Sequence, residues 1–415
     1  MNNSILSRLD WLSIFLYFLL VGFGILNIYS SIQSDNALSL WDISNVAGKQ
    51  LFIFLGCCIT LPLILYIKSN LFEHLSYIFY GISILSLMGL YVFGQTISGA
   101  TSWYSIGGFS LQPSEFAKLT TALVLAHFLS AIQTDLRRLK DQFKIVAFIG
   151  LPMLLILLQP DAGSALVFLG LFFVFIREGM NLRWLYLGIL LVLIFIFTLL
   201  FKPIAVSIGG LLLISIAYFT IRKSFNKKSP FLITLGICVL FSFSVDFIFN
   251  SLFEQRHRDR FNIILGLDAD TQGIGYNINQ SKIAIGSGGF SGKGFLNGTQ
   301  TKGNFVPEQH TDYIFSTIGE EWGFLGSCTL IILFTVLIFR IIYRAEKHTN
   351  AYRRIYSYAF ASMLFIHFFV NIGMTLGLVP TVGIPLPFIS YGGSHLMAFS
   401  FMLFLYLNFD SQRLS

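Results

Sequence analysis

The chain has 415 residues, 55% of them hydrophobic and only 11% charged, with a mean hydropathy of +0.74 and Phe, at 45 copies, the commonest aromatic. Such a balance excludes a water-soluble globular domain. The net charge of +7 is then chiefly a signal of membrane topology, and nucleic acid is not an expected partner.

A hydrocarbon core about 30 Å thick is crossed by about 20 apolar residues in helical form. In chain order such stretches fall at 11–30, 48–67, 73–94, 114–131, 144–158, 161–176, 183–200, 204–221, 230–250, 313–342, 355–378 and 388–410, twelve in all. The runs are continuously apolar instead of alternating, which points to helices that satisfy their own backbone groups and not to a barrel. The expected fold class is therefore all-α, a polytopic integral membrane protein. The first stretch is too long for a signal-peptide core, lacks a small-x-small cleavage site and is followed by further spans, so it reads as a retained helix.

Basic residues set the expected orientation. Arg137, Arg138, Lys140 and Lys144, then Arg222, Lys223, Lys227 and Lys228, then Arg344, Lys347, Arg353 and Arg354 collect in alternate loops, while the opposite short loops carry almost none. Both termini are accordingly expected in the cytoplasm. Cys57, Cys58, Cys238 and Cys328 fall inside apolar spans without metal-ligand spacing, and read as small buried hydrophobes with no disulfide framework.

Residues 251–312 form a connection far longer than ordinary ones, and it faces outward in this orientation. Its middle reads GYNINQSKIAIGSGGFSGKGFLNGTQ. There Asn279 to Ser287 is apolar enough for a short membrane-dipping helix, and Gly286, Gly288, Gly289, Gly292 and Gly294 permit tight turns. A nucleotide P-loop is rejected, because no Gly stands five places before Gly292 and Lys293 is followed by Gly294 where Ser or Thr is required.

Charges in or beside the apolar spans are functional candidates, since each costs at least about 2.5 kcal/mol at mid-bilayer. In QPSEFAK, Glu115 and Lys118 lie three apart at the outer start of a helix, share a face and can pair, either as a packing device or as part of a site. Glu320 and Glu321 lie deeper along the helix that follows Asp312, where hydrogen bonding between helices is the favoured reading; Asp246 is assigned no role. VPEQHTDYIF places Glu308, His310 and Asp312 at every second position on the outer rim, where water and a polar substrate reach them. Desolvation of Asp312 would raise its pKa towards the range of a proton acceptor, and Lys118 would lower it. Alternatively, Glu308 and Asp312 could hold a divalent cation, Mg2+ or Mn2+, together with waters and phosphate oxygens. His310 alone is weak evidence for zinc and suits a hydrogen bond at the helix start.

Six blocks in order, GATSWYSIGGFSLQPSEFAK, QPDAGSALV, the glycine-rich segment above, PEQHTDYIF, GEEWGFLG and NIGMTLGLVPTVGIPLPFISYGGS, carry a resemblance. The chain resembles the SEDS family (shape, elongation, division and sporulation), membrane glycosyltransferases that polymerise lipid II into peptidoglycan strands, and is similar to elongation-type members more than to division-type ones. The resemblance places the family's essential aspartate on Asp312 and its QPSExxK pair on Glu115 and Lys118, and implies a catalytic role for all three. It implies a reaction in which the 4-hydroxyl of an acceptor sugar loses a proton as it attacks an anomeric carbon whose leaving group is a polyprenyl diphosphate. Asp312 is then the expected general base. Lys118 first, then Arg258, Arg260, Lys282 and Lys293, are the cations expected to meet the diphosphate, with Glu308, His310 and Ser390 completing the expected substrate-binding set. A class B penicillin-binding transpeptidase and other elongation-complex proteins are the implied partners, and the bacterial cytoplasmic membrane is the implied location.

The sequence also departs from that pattern. Ser102 stands where many relatives have an arginine, 266–276 lacks the family's usual prolines, and residues 203–250 look like a helix pair inserted into a ten-span plan. The alternatives are a flippase for the lipid-linked precursor, which would want its titratable groups near the bilayer midplane, and a non-catalytic scaffold.

Overall fold

The structure, a computed structural model, describes residues 5–33, 39–97, 99–106, 109–221, 229–252, 255–267 and 274–412. The helices before the first strand are α1 Ile5–Arg8, α2 Trp11–Ile32, α3 Val46–Tyr66, α4 Ser69–His74 and α5 Ser76–Phe93. Strands β1 Gln95–Ile97, β2 Ala100–Ile106 and β3 Phe109–Leu111 come next, then α6 Pro113–Ser130, α7 Leu139–Leu157, α8 Ala162–Val167 and α9 Phe172–Arg177. The remainder is α10 Arg183–Ile221, α11 Ser229–Phe247, α12 Gln255–Ile264, α13 Ile274–Ser287, α14 Thr299–Lys302, α15 Ile314–Ala345, α16 Ala351–Thr375 and α17 Gly393–Ser411.

The helical class and the multi-pass character are as expected. Among the described residues seven helices, α2, α3, α5, α10, α11, α15 and α16, are long and apolar enough to cross a membrane. The other expected stretches are helical too. They fall on α6, α7, the consecutive α8 and α9, and α17, while two of them are the arms of α10, broken at Lys202 (φ 65°) directly before Pro203. A proline bars its predecessor from helical geometry and removes a backbone donor, which accounts for the break. The basic run at 222–228 and most of the proline-poor stretch at 266–276 lie outside the described residues.

The chain divides into two units, residues 1–179 with 276–415, and residues 180–275. In the second, α10 packs along α11, and Phe261 of α12 meets Phe195 and Phe249 at ring-centroid distances of 5.4 and 6.1 Å. The helix pair expected as an insertion lies within this unit. In the first unit the three strands form an antiparallel sheet, ordered β1-β2-β3, which the reading by apolar spans did not anticipate. The β-branched and aromatic run Ala-Thr-Ser-Trp-Tyr was its sequence signal. Tyr104 ties the sheet to α5 by donating to Ser86 O at 2.7 Å.

Helix α15 is broken near its start, where Gly323 adopts φ +63°. The break frees carbonyls and amides that lipid could not satisfy. The glycine-rich segment after α13 takes them up: Lys293 N and Gly294 N donate to Glu320 O and Glu321 O, and Phe324 N and Leu325 N donate to Gly289 O and Phe290 O. Gly289, Gly292 and Gly294 all have positive φ, and a Cβ on Gly292 would stand 2.1 Å from Glu321 O, so the backbones approach at a distance only glycine allows. The Glu320 side chain then closes the loop, accepting from Gln300 N (2.8 Å), Thr301 N (2.8 Å), Thr301 Oγ1 (2.7 Å) and Lys293 Nζ (2.8 Å). Glu321 accepts from Ser30 Oγ of α2. The expectation of helix-to-helix bonding thus fits Glu321, whereas Glu320 anchors the loop.

The far ends of the spans are locked by ion pairs. Arg340 Nη2 reaches Asp10 Oδ1 at 2.9 Å, Arg344 pairs with Asp410, and Arg354 Nη2 reaches Glu178 Oε2 at 2.9 Å. Arg344 and Asp312 therefore stand at opposite ends of α15. Gly323→Ala should lower the stability of the detergent-solubilised protein by at least about 2 kcal/mol, because φ is strained for any Cβ and that Cβ would meet Gly292 N at 2.3 Å. A thermal melt reads this out, and an unchanged midpoint would mean that the loop does not depend on the break.

Candidate functional site: a carboxylate on a braced turn

Asp312 lies in the turn that leads into α15 and is half-buried. Three successive carbonyls of this turn are gripped from α16 and from the segment that joins it to α17. Tyr391 N donates to His310 O (2.9 Å), Ser390 Oγ to Thr311 O (2.7 Å) and Asn371 Nδ2 to Asp312 O (2.8 Å). The turn is also tied internally, since Thr311 N and Tyr313 N both donate to Glu308 O, and Glu308 adopts φ +53°, a left-handed geometry that disfavours a residue with a side chain. Facing the carboxylate is Gly383, where an added Cβ would stand 3.2 Å from Asp312 Oδ2.

The segment after α16 is non-helical and largely buried from residue 384 to 390, so its own polar groups need partners. Asn371 Nδ2 donates to Ile384 O (2.7 Å), His367 Nδ1 to Pro385 O (3.0 Å), Leu386 N to Ser390 Oγ (2.8 Å) and Gln50 Nε2 to Ser390 O (3.2 Å). Two glycines let helices close on it: a Cβ on Gly163 of α8 would meet Val382 O at 2.4 Å, and one on Gly24 of α2 would meet Ile389 O at 2.7 Å. The QPD block joins the same core, where Asp161 caps α8 and accepts from Gln112 Nε2 at 2.9 Å.

Glu115 and Lys118 pair at 2.8 Å, as their spacing suggested, but not on the rim. Lys118 is 0% and Glu115 2% exposed. Glu115 Oε2 accepts from His395 Nδ1 (2.9 Å), Lys118 Nζ donates to His367 Nε2 (3.0 Å), and the ring of Phe399 covers the ammonium at 5.4 Å. Burial on the first turns of α6 was missed because the run looks like an amphipathic helix end; the signal lay in His367 and His395, two histidines in otherwise apolar spans. Lys118 is thus enclosed behind the rim on which the sequence had placed it.

The remaining expected residues separate. Ser390 is 1% exposed and its hydroxyl accepts from Leu386 N and donates to Thr311 O, bracing the turn. Lys293 is bound to Glu320 in the loop anchor. Lys282 is exposed on α13, its Nζ beside Gly377 just beyond the end of α16. Arg258 and Arg260 belong to the second unit, where Arg258 Nη1 donates to Asn250 O at 3.1 Å. His310 is half-buried with its ring 6.0 Å from Tyr391, and burial pushes its imidazole below the ordinary value while Glu308 pulls it back. Glu308 is exposed and its Oε2 accepts from Thr311 Oγ1 at 3.0 Å. No group of three His, Cys, Asp or Glu side chains able to hold a metal occurs among the described residues.

These features define a multi-pass membrane protein with a polar site at one end of its helices and a buried ionic cluster behind it. The chain belongs to the FtsW/RodA/SpoVE family, whose model, described as a cell cycle protein, matches residues 10–211 and 210–414. Among its relatives, the peptidoglycan glycosyltransferase RodA of Treponema pallidum is 33% identical, with 94% of each chain covered. The peptidoglycan glycosyltransferase MrdB of Escherichia coli K12 is 32% identical over 87% of this chain and 86% of its own. A chain from a structure on the coordination of polymerization and crosslinking by a peptidoglycan synthase complex superposes with a TM-score of 0.72 at 26% identity, covering 98% of this chain and 99% of that one. A variant of the rod shape determining protein RodA of Thermus thermophilus gives a TM-score of 0.65 at 25% identity, covering 98% and 99%.

Breaking a buried pair strands a charge, whereas removing both members does not. Lys118→Met should therefore destabilise the protein by about 3–5 kcal/mol, and Lys118→Met combined with Glu115→Gln by clearly less. Melting the two variants side by side checks the order; equal losses would show that the ammonium and carboxylate are not coupled.

Proposed function

We propose that the protein is a peptidoglycan glycosyltransferase that polymerises lipid II into glycan strands during cell-wall elongation, acting at the outer face of a bacterial cytoplasmic membrane. The observation that carries this reading is the grip on the three carbonyls of His310, Thr311 and Asp312, which holds one half-exposed carboxylate at the end of α15 remote from the arginines. A lipid-linked sugar is anchored by its tail in the bilayer, so its hydroxyl arrives at the depth of that rim.

In the proposed step the Asp312 carboxylate takes the proton of the acceptor 4-hydroxyl as the oxygen bonds to the anomeric carbon of the donor strand. The bond from that carbon to the diphosphate breaks, and undecaprenyl diphosphate leaves with the electron pair. Of the expected cations in the first unit, Lys118 is enclosed and Lys293 is half-buried and paired with Glu320, whereas Lys282 is exposed, and we assign Lys282 to the departing charge. A divalent cation, Mg2+ or Mn2+, would be held by Asp312 and, when bound, would offset the charge of the leaving group.

Partners are read in the same way. The similarity to a chain of a peptidoglycan synthase complex supports pairing with a class B penicillin-binding transpeptidase that crosslinks the strands made here.

Purified protein in detergent micelles, given lipid II, should yield glycan polymer, and Asp312→Asn should slow polymerisation by about 10²- to 10⁴-fold with an unchanged melting midpoint. Polymer made without any bilayer excludes a pure flippase. A variant that polymerises at the normal rate removes Asp312 from the chemistry.

A further inference from the structure

We propose that His367 is a positioning residue for Asp312, carrying the order of the buried Glu115–Lys118 pair to the segment that faces the carboxylate. This rests on the reading of Asp312 as the base.

The argument starts from hydrogen-bond roles. An ammonium only donates, so the 3.0 Å contact from Lys118 Nζ requires His367 Nε2 to accept. The ring proton of a neutral imidazole then sits on Nδ1, which is the atom that donates to Pro385 O at 3.0 Å. Lys118 thereby selects the tautomer that grips the segment. One turn further along α16, Asn371 holds the preceding carbonyl, Ile384 O, and with the same amide nitrogen holds Asp312 O. Histidine and asparagine four residues apart share a helix face, so α16 presents one ridge that fixes both walls of the gap between Asp312 and Gly383.

The other groups facing His367 do not compete for this role. His395 lies with its ring 5.0 Å away and spends Nδ1 on Glu115, while Phe399, 4.8 Å away, closes the apolar side. His367 is 1% exposed and contacts no outer-face solvent, which separates positioning from direct contact with substrate. Loss of the Pro385 bond would leave a half-buried carbonyl unpartnered and let Gly383 move against Asp312 Oδ2.

The test uses full-length protein in detergent with lipid II. His367→Leu removes both roles, whereas His367→Gln keeps one acceptor and one donor on a neutral amide. For the leucine variant we expect kcat to fall tenfold or more and KM for lipid II to change less than threefold. The glutamine variant should return kcat to within about threefold of the parent. A purely structural role would lower the rate in step with the melting midpoint and without rescue by glutamine, and that result, or a leucine variant with parental kcat, would overturn the proposal. Full activity in Asp312→Asn would instead sink the assignment of the base, whatever the His367 variants do.

Discussion

Non-helical backbone at membrane depth has to find every hydrogen-bond partner inside the protein, and this requirement organises the structure. Besides the break at Lys202 in α10, two described places in the first unit depart from the helical rule. One is the kink at Gly323 in α15 and the other is the buried segment from 384 to 390. At the kink the partners are other backbone groups, supplied by a glycine-rich loop that can approach closely enough. In the second place Ile389 N and Ser390 N donate to Leu386 O, and the other partners are the side chains of Asn371, His367, Gln50 and Ser390. Lipid would satisfy none of these groups, so loss of one bond has no solvent-mediated substitute.

The buried ionic cluster follows from the same logic. Glu115 and Lys118 attract one another, but two charges removed from water are stabilised only when their remaining donors and acceptors are also satisfied. His395 and His367 fill that need without adding net charge, because each contributes one polar atom to one partner. A cluster so arranged fixes geometry more than it adds stability. Its worth to the protein lies in the fact that one of its members, His367, has a second nitrogen directed at the wall of the site.

Much of this was legible in the amino-acid sequence, and the limits have physical causes. Continuous apolar runs gave each spanning element, because hydrophobic length is read directly against bilayer thickness. Three of the blocks that carry the family resemblance, QPDAGSALV, PEQHTDYIF and NIGMTLGLVPTVGIPLPFISYGGS, meet around Asp312, and Gly163, Gly383 and Ser390 show why their residue types matter: close approach, room for a carboxylate, and a hydroxyl that both donates and accepts. Burial was harder to read. Lys118 sits near a helix start, where exposure is the ordinary state of lysine, and only its long-range partners on α16 and α17 reveal that it is enclosed. The sheet at 95–111 was hidden for a different reason, since short strands between spans are overshadowed by the hydrophobic signal on either side.

Placement of charge also bears on the choice between an enzyme and a carrier. A carrier must offer its polar site to both sides of the bilayer in turn. Here α15 has Asp312 at one end and Arg340 and Arg344 at the other, and those arginines are committed to Asp10 and Asp410. The buried polar cluster, Glu115 with Lys118, His367 and His395, is packed to almost zero exposure and is bonded to itself and to the segment that faces Asp312. Opening that cluster to water from the far side would mean parting an ion pair and stranding two imidazoles in the core. A site reached from one face, with its charged support sealed behind it, suits a catalyst that receives a lipid-anchored substrate laterally and returns the product to the same side.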